Sequence, residues 1–242
     1  VLGTTLEENL RMIYESVQLL VSQGRRVIFD AEHFFDGYIE DSEYALAALT
    51  AAHEGGAQTI CLCDTNGGRL PSEIYDIASR LKETGFNLGI HAHDDIGCGV
   101  ANTLSAVQAG FNHVQGTLLG MGERCGNANL SAIIPTLMLK LGMDCIPQQK
   151  LRLLTKQART VAEIANVLLP ANLPYIGKMA FAHKAGMHID ALSKRQGAFE
   201  HIQPELVGNK RRILLSELSG RSAIIKKLSV IAPELTKDAE IT

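Results

Sequence analysis

Two histidines one residue apart, His91 and His93, sit in the stretch Gly89-Ile-His-Ala-His-Asp-Asp95, and Gly120-Met-Gly-Glu-Arg-Cys-Gly-Asn-Ala-Asn129 follows later in the chain. In a strand from Asn87 to His93 the side-chain period of two puts both imidazoles on one face and Ile90 and Ala92 on the other. Two imidazoles pointing the same way at a strand end supply two ligands for a divalent metal, with Asn127 as a candidate oxygen ligand from the next loop. The competing reading is that both rings simply hydrogen-bond to Asp94, Asp95 and backbone groups. Gly120-Met121-Gly122 looks like a phosphate loop but has neither the full dinucleotide fingerprint nor a P-loop Lys-Ser/Thr.

The elements that must position these groups alternate. Thr5-Leu-Glu-Glu8 reads as a capping box for a helix with Leu6, Leu10, Ile13, Val17 and Leu20 inward, stopped at Gly24. A short apolar strand, Arg26 to Asp30, ends in Glu32, His33 and Asp36. A helix from Ser42 to Gly55 precedes the strand Gln58 to Cys63, which runs into Asp64, Thr65 and Asn66. Pro71 starts a third helix, the His-x-His strand follows, and then come a helix near Val100 to Gln108, a strand at His113 to Gly116 and a helix with Ile133, Leu137 and Leu141. Pro135 should kink that last helix or mark a delayed start.

Strands alternating with helices at this spacing mean parallel βα units. Glu32, Asp64, Thr65, His91, His93 and the loop after 116 all fall just after or at the end of strands, so they gather at one rim. TIM barrels keep their active sites there, and a doubly wound sheet would gather them too. Four strand-and-helix units precede residue 142, half the eight of a barrel. Beyond them a helix is expected from Leu151 to Leu168, broken by Pro170 and Pro174, followed by a segment with His183, His188 and Asp190. Cys61 and Cys63 read as small buried side chains.

Composition excludes several classes. Hydrophobic residues at 46% and charged ones at 20% describe a globular protein, and a net charge of −3 with 5% aromatic residues offers nucleic acid neither a basic field nor a stacking surface. Lys210, Arg211 and Arg212 form a basic run that reads as a solvated face. No apolar run is long enough to span a membrane, and five cysteines without a repeating framework suit free thiols, so a cytoplasmic protein is expected.

Seven stretches carry a family resemblance: 29–37, 63–68, 91–95, 122–127, 182–188, 204–209 and 215–221. Together they resemble the isopropylmalate and homocitrate synthase superfamily, acyl-CoA Claisen condensing enzymes on a TIM barrel. Glu200-His-Ile202 and the 215–221 stretch favour its citramalate branch. The resemblance implies an α/β fold: residues 1–142 as the second half of a (β/α)8 barrel, strands five to eight, and 143–242 as a mainly helical linker and lid subdomain. It implies acetyl-CoA and pyruvate, or a related 2-oxo acid, as substrates, a divalent metal (Mg or Mn, or else Zn), a homodimer, and a place in isoleucine biosynthesis. His91, His93 and Asn127 map to metal ligands, Thr65 to the hydroxyl that binds the oxo acid, and Glu32 to the catalytic glutamate. His188, supported by Asp190, maps to a catalytic histidine supplied by the partner's lid.

Two departures accompany the match. The family's Arg-Asp pair on the first barrel strand, which holds a further metal ligand, is absent, and Phe199 stands where the family commonly has Tyr. The chain therefore reads as a portion of the enzyme, poorly active by itself, with two open sheet edges and an apolar inner face. Glu123 and Arg124 are expected to pair and brace the loop that holds Asn127. Isopropylmalate or homocitrate synthesis, or a non-catalytic metal-binding role, are the alternatives.

Overall fold

A computed structural model describes residues 3–184 and 198–214. Contacts divide the chain into two compact units, 1–133 and 134–242.

In the first unit α1 (Leu6–Ser22) leads to β1 (Ile28–Ala31), α2 (Phe34–Glu40), α3 (Ser42–Glu54), β2 (Thr59–Asp64), α4 (Pro71–Leu81), β3 (Leu88–Ala92), α5 (Gly99–Gln108) and β4 (His113–Gln115), with α6 (Leu130–Lys140) beginning at its end. The four strands form one parallel sheet in the order β1-β2-β3-β4. A doubly wound sheet reverses its order at a switch point, and these four strands do not. Their consecutive order is that of a barrel wall, as expected for half a TIM barrel.

Register sorts the side chains into two sets. Asp30 pairs with Cys61, Cys61 with Gly89 and Gly89 with His113, while Cys63 pairs with His91 and His91 with Gln115. These share one face by the period of two. The opposite face carries Phe29, Ile60, Leu62, Leu88 and Ile90, of which Ile60, Leu62 and Ile90 are fully buried. The expectation of an apolar inner face is thus corrected: beside Ile28 and Thr59, the face bearing His91 carries a carboxylate, two thiols, two imidazoles and an amide. Parallel strands buried on both sides usually read as continuous apolar runs, and a polar face marks where chemistry displaces packing.

Local signals explain most boundaries. Thr5 Oγ1 accepts from the Glu8 N–H, but the Glu8 carboxylate is taken by Arg11, so only half of the expected capping box forms. Past the end of α1, Gly24 at φ 72 donates to Val21 O, and Arg25 donates to Leu20 O, a Schellman ending. Of the α1 stripe only Val17 is buried; Leu6 and Leu20 are exposed. The short α2 was not expected. Its first two residues, Phe34 and Phe35, are buried, and seven residues are too few for periodicity to register. Pro135 lies inside α6 and is not a delayed start.

In the second unit the helix expected from Leu151 to Leu168 is two: α7 (Gln148–Leu151) and α8 (Leu154–Ile164). Asn166 at φ 53 donates to Glu163 O and Val167 donates to Ala162 O, which closes α8 and leaves Leu168 93% exposed. Two short parallel strands, β5 (Ala182–His183) and β6 (Arg212–Ile213), join the helices there. The buried Asn209 amide donates to the carbonyls of Tyr175 and Gly177, both at 2.9 Å.

The basic run is not uniformly solvated. Lys210 is exposed, whereas Arg211 grips the buried Glu200, donating from Nε at 2.7 Å and from Nη2, and His183 Nε2 lies 3.0 Å from the same carboxylate. The Arg211 hydrogen bond holds the Glu200 carboxyl below the ordinary glutamate range. Among the described residues no helix is long and apolar enough to cross a membrane.

Candidate metal centre

The site grows from the C-terminal ends of the four strands. Glu32 follows β1 and is exposed; Thr65 follows β2; His91 is in β3 and His93 just beyond it; Asn127 is in the loop after β4. Main-chain and side-chain bonds stitch these ends together. Thr65 Oγ1 accepts from the His33 N–H at 2.8 Å, and Asp64 O accepts from the His93 N–H at 3.2 Å. An antiparallel bridge pairs His93 with Asn127, and Asp94 N donates to Gly126 O at 3.0 Å. The expected gathering at one rim is therefore what the first unit displays for Glu32, Thr65, His91, His93 and Asn127. His188 and Asp190 lie outside the described residues.

The loop from Thr117 to Asn129 folds back tightly because of its glycines. Gly126 has φ 99, and a Cβ there would overlap the Gly120 carbonyl; a Cβ on Gly122 would overlap the Asn127 amide. Gly120 O accepts from the Asn127 N–H at 3.0 Å, which seats Asn127 against β3. Arg124 braces the loop, though with a different partner from the one expected. It donates to Asp95 from Nε at 2.7 Å and Nη2 at 3.0 Å and to Thr65 O at 2.6 Å, so it ties the loops after β2, β3 and β4. Glu123 precedes it in sequence, yet adjacent residues seldom face each other, and Asp95 offers both oxygens to the planar fork. That hydrogen bond keeps the Asp95 carboxyl below its usual range.

The donor set fits a metal. The rings of His91 and His93 have centroids 5.3 Å apart. With metal–nitrogen bonds of about 2.1 Å, two imidazoles on one ion at right to tetrahedral angles would have centroids roughly 4.6–5.3 Å apart. Nδ1 of His93 and Oδ1 of Asn127 are buried and lack a hydrogen-bond partner. Buried polar atoms are rarely left so, and an unmet ion is one of the ordinary reasons. His91 Nδ1 faces Gln115 Oε1 at 2.9 Å, not a carboxylate, while Asp95 is engaged by Arg124 and Asp94 Oδ1 by the Gly99 N–H. Among the described residues no group of three or more His, Cys, Asp or Glu side chains is placed to hold a metal ion, so an ion held by His91 and His93 would take the Asn127 amide oxygen as its third donor.

Behind the site, Asp64 is buried, accepts from the Asn102 amide at 3.2 Å, and is pushed up by desolvation. Cys61 and Cys63 are buried as expected; the Cys63 thiol and burial push the Cys61 thiol up, which keeps it protonated and inert. Gln115 and Asp30 also meet at this face, Gln115 Nε2 donating to Asp30 Oδ1 at 2.7 Å. Asp30 lies in the 29–37 stretch without a role implied for it there, and Gln115 lies outside every such stretch, so only its position at a strand end could have pointed to it.

The family model described as HMGL-like matches residues 1–161, and the one described as homocitrate synthase post-HMGL domain-like matches residues 175–240. An (R)-citramalate synthase of Aquifex aeolicus is 57% identical over 236 residues, 97% of this chain and 45% of that protein. An (R)-citramalate synthase of Synechocystis is 48% identical over 245 residues, 98% of this chain and 45% of that protein. The chain thus spans less than half the length of these curated relatives. The crystal structure of the HMG-CoA lyase of Bacillus subtilis superposes with a TM-score of 0.57 at 23% identity, over 69% of this chain and 59% of that one, a likeness of fold.

Proposed function

The chain belongs to the HMGL-like family, and from that premise we propose that it carries the metal-binding half of a citramalate synthase active site. The activity is condensation of acetyl-CoA with pyruvate, then hydrolysis of the thioester to citramalate and CoA. The observation that carries this reading is the bridge that sets Asn127 against His93, with buried Asn127 Oδ1 and His93 Nδ1 unpartnered beside His91. The names of the relatives, both (R)-citramalate synthases, support the choice of substrates.

His91, His93 and Asn127 would hold a divalent metal. Two nitrogen donors suit Zn, and an amide oxygen with a chelating oxo acid suits Mg or Mn. When bound, the metal supplies Lewis acidity toward a keto oxygen and stabilises negative charge there. Thr65 keeps an O–H to donate to the oxo-acid carboxylate, because its oxygen already accepts from His33. Glu32, exposed on the same rim, orders the proton transfers and the attacking water.

The acetyl methyl gives up a proton, its carbon bonds to the keto carbon, and the resulting oxyanion is protonated. Water then cleaves the carbon–sulfur bond, leaving a carboxylate and the CoA thiol. His188 with Asp190, supplied by the lid of a second copy in a cytoplasmic homodimer, serves as acid and base. The product enters isoleucine biosynthesis, and these 242 residues alone turn over poorly.

Thiol release from acetyl-CoA with pyruvate and Mg or Mn tests this, on this chain and on one extended upstream, with His91→Ala and EDTA as controls. Activity in the extended chain that both controls abolish is the expected result. Release with a bulkier oxo acid but not pyruvate would overturn the substrate, and none with any oxo acid would overturn the reaction.

A further inference from the structure

Gln115 closes β4 in register with His91, and both ends of its amide are used. Nε2 donates to Oδ1 of Asp30 at 2.7 Å, and Oε1 lies 2.9 Å from Nδ1 of His91. A carboxylate oxygen has no proton to offer, so Asp30 dictates that the NH2 end of the amide faces it. The amide oxygen is thereby turned toward His91, and that oxygen can only accept. Nδ1 must then carry the ring proton, and the lone pair of the neutral imidazole is left on Nε2.

We propose that Asp30 and Gln115 form a positioning relay that selects the Nδ1–H tautomer of His91 and so presents Nε2 as the metal-binding atom. The inference rests on the metal reading above and deepens it. Asp30 lies on β1 and Gln115 on β4, so the relay crosses the two strands between them and links the outermost strands of the described sheet to one ring orientation. The group in register with His91 on its other side does not compete: the Cys63 thiol is directed to Cys61 O at 3.8 Å. Without the relay a neutral imidazole populates both tautomers and favours Nε2–H, the form whose proton sits on the atom that must ligate. Asp30 holds the amide, the amide holds the ring, and neither touches the metal, which is the usual division of work around a metal-bound histidine.

The test uses the full chain, 15N-labelled and metal-free, at about pH 8 where a histidine of ordinary pKa is neutral. Long-range proton–nitrogen correlation reads the tautomer of His91, and Mn(II) titration followed by electron paramagnetic resonance reads affinity. Wild type is expected to show Nδ1–H. Gln115→Leu is expected to move His91 toward Nε2–H and to raise the Mn(II) Kd about 10- to 100-fold. Asp30→Asn alone lets the amide turn over and gives an intermediate mixture. Asp30→Asn with Gln115→Glu puts the donor on position 30 and the acceptor on position 115, and restores both tautomer and affinity.

Circular dichroism confirms that each variant is folded. A Gln115→Leu chain that keeps Nδ1–H and the wild-type Kd overturns the relay, as does a double variant no better than Asp30→Asn. Wild type that binds Mn(II) no better than His91→Ala overturns the metal reading instead, and the tautomers of the metal-free variants still decide whether the relay exists.

Discussion

Gly126→Ala should detach Asn127 from the site without unfolding the sheet. At φ 99 an alanine is strained by about 1–3 kcal/mol. The new Cβ overlaps the Gly120 carbonyl oxygen, and carbon–oxygen contacts settle near about 3.3 Å. The carbonyl must therefore retreat by roughly 1 Å. That same oxygen accepts from the Asn127 N–H, so the retreat breaks the bond that seats the ligand, a further loss of about 1 kcal/mol.

A ligand displaced by about 1 Å costs on the order of 100-fold in turnover. Mn(II) affinity by electron paramagnetic resonance should fall at least tenfold, with ordering of the loops read by amide hydrogen exchange. Gly85→Ala is the control, because Gly85 has φ 74 and open space around its Cβ direction. It should lower the melting temperature by a few degrees through strain alone and leave Mn(II) binding intact. If Gly126→Ala binds Mn(II) as tightly as Gly85→Ala, the loop does not hold the ligand and the reasoning fails.

Glu200→Gln should destabilise the chain by about 2 kcal/mol at neutral pH, since Arg211 and His183 both lose a charged acceptor. A carboxyl whose folded pKa is depressed contributes above its unfolded value, 4.5 here, and loses that contribution as pH falls through the folded one. Urea unfolding should accordingly show wild type and variant converging in acid, and a constant gap down to low pH would contradict the ion pair. Thr65→Val should raise the apparent KM for the oxo acid about tenfold, one hydrogen bond's worth, with Mn(II) affinity unchanged; a parallel loss of metal would move Thr65 into the metal's support. Arg124→Gln releases three loops at once, so both Mn(II) affinity and turnover should drop about 10- to 100-fold. An effect on turnover alone would mean that Arg124 acts on substrate.

Much of the first unit was legible because its signals are local. The run Gln58 to Cys63 could only be a buried strand, Pro71 and Gly24 punctuate helices through their own torsions, and the period of two was enough to place His91 and His93 on one face. The clustering of Glu32, Thr65 and the histidines at one rim followed from parallel connectivity alone. Errors came where a boundary depended on a cap that no periodicity reveals, as at Asn166, or on an element too short to have a period, as in α2.

What the tertiary structure alone decided is the choice of partners. Arg124 has an acid beside it in sequence and takes Asp95; Arg211 sits in a basic run and takes Glu200; Gln115 reaches from β4 to Asp30 of β1. None of these pairings joins sequence neighbours: Arg124 and Asp95 lie on different loops, Arg211 and Glu200 are separated by a local turn of chain that no periodicity reveals, and Gln115 reaches across two strands to Asp30. Sequence determines the torsions and the face on which a side chain stands, because these depend on neighbours a few residues away. Which charge or amide it meets on that face depends on strand order and register, and these are set only when the sheet closes its long-range contacts.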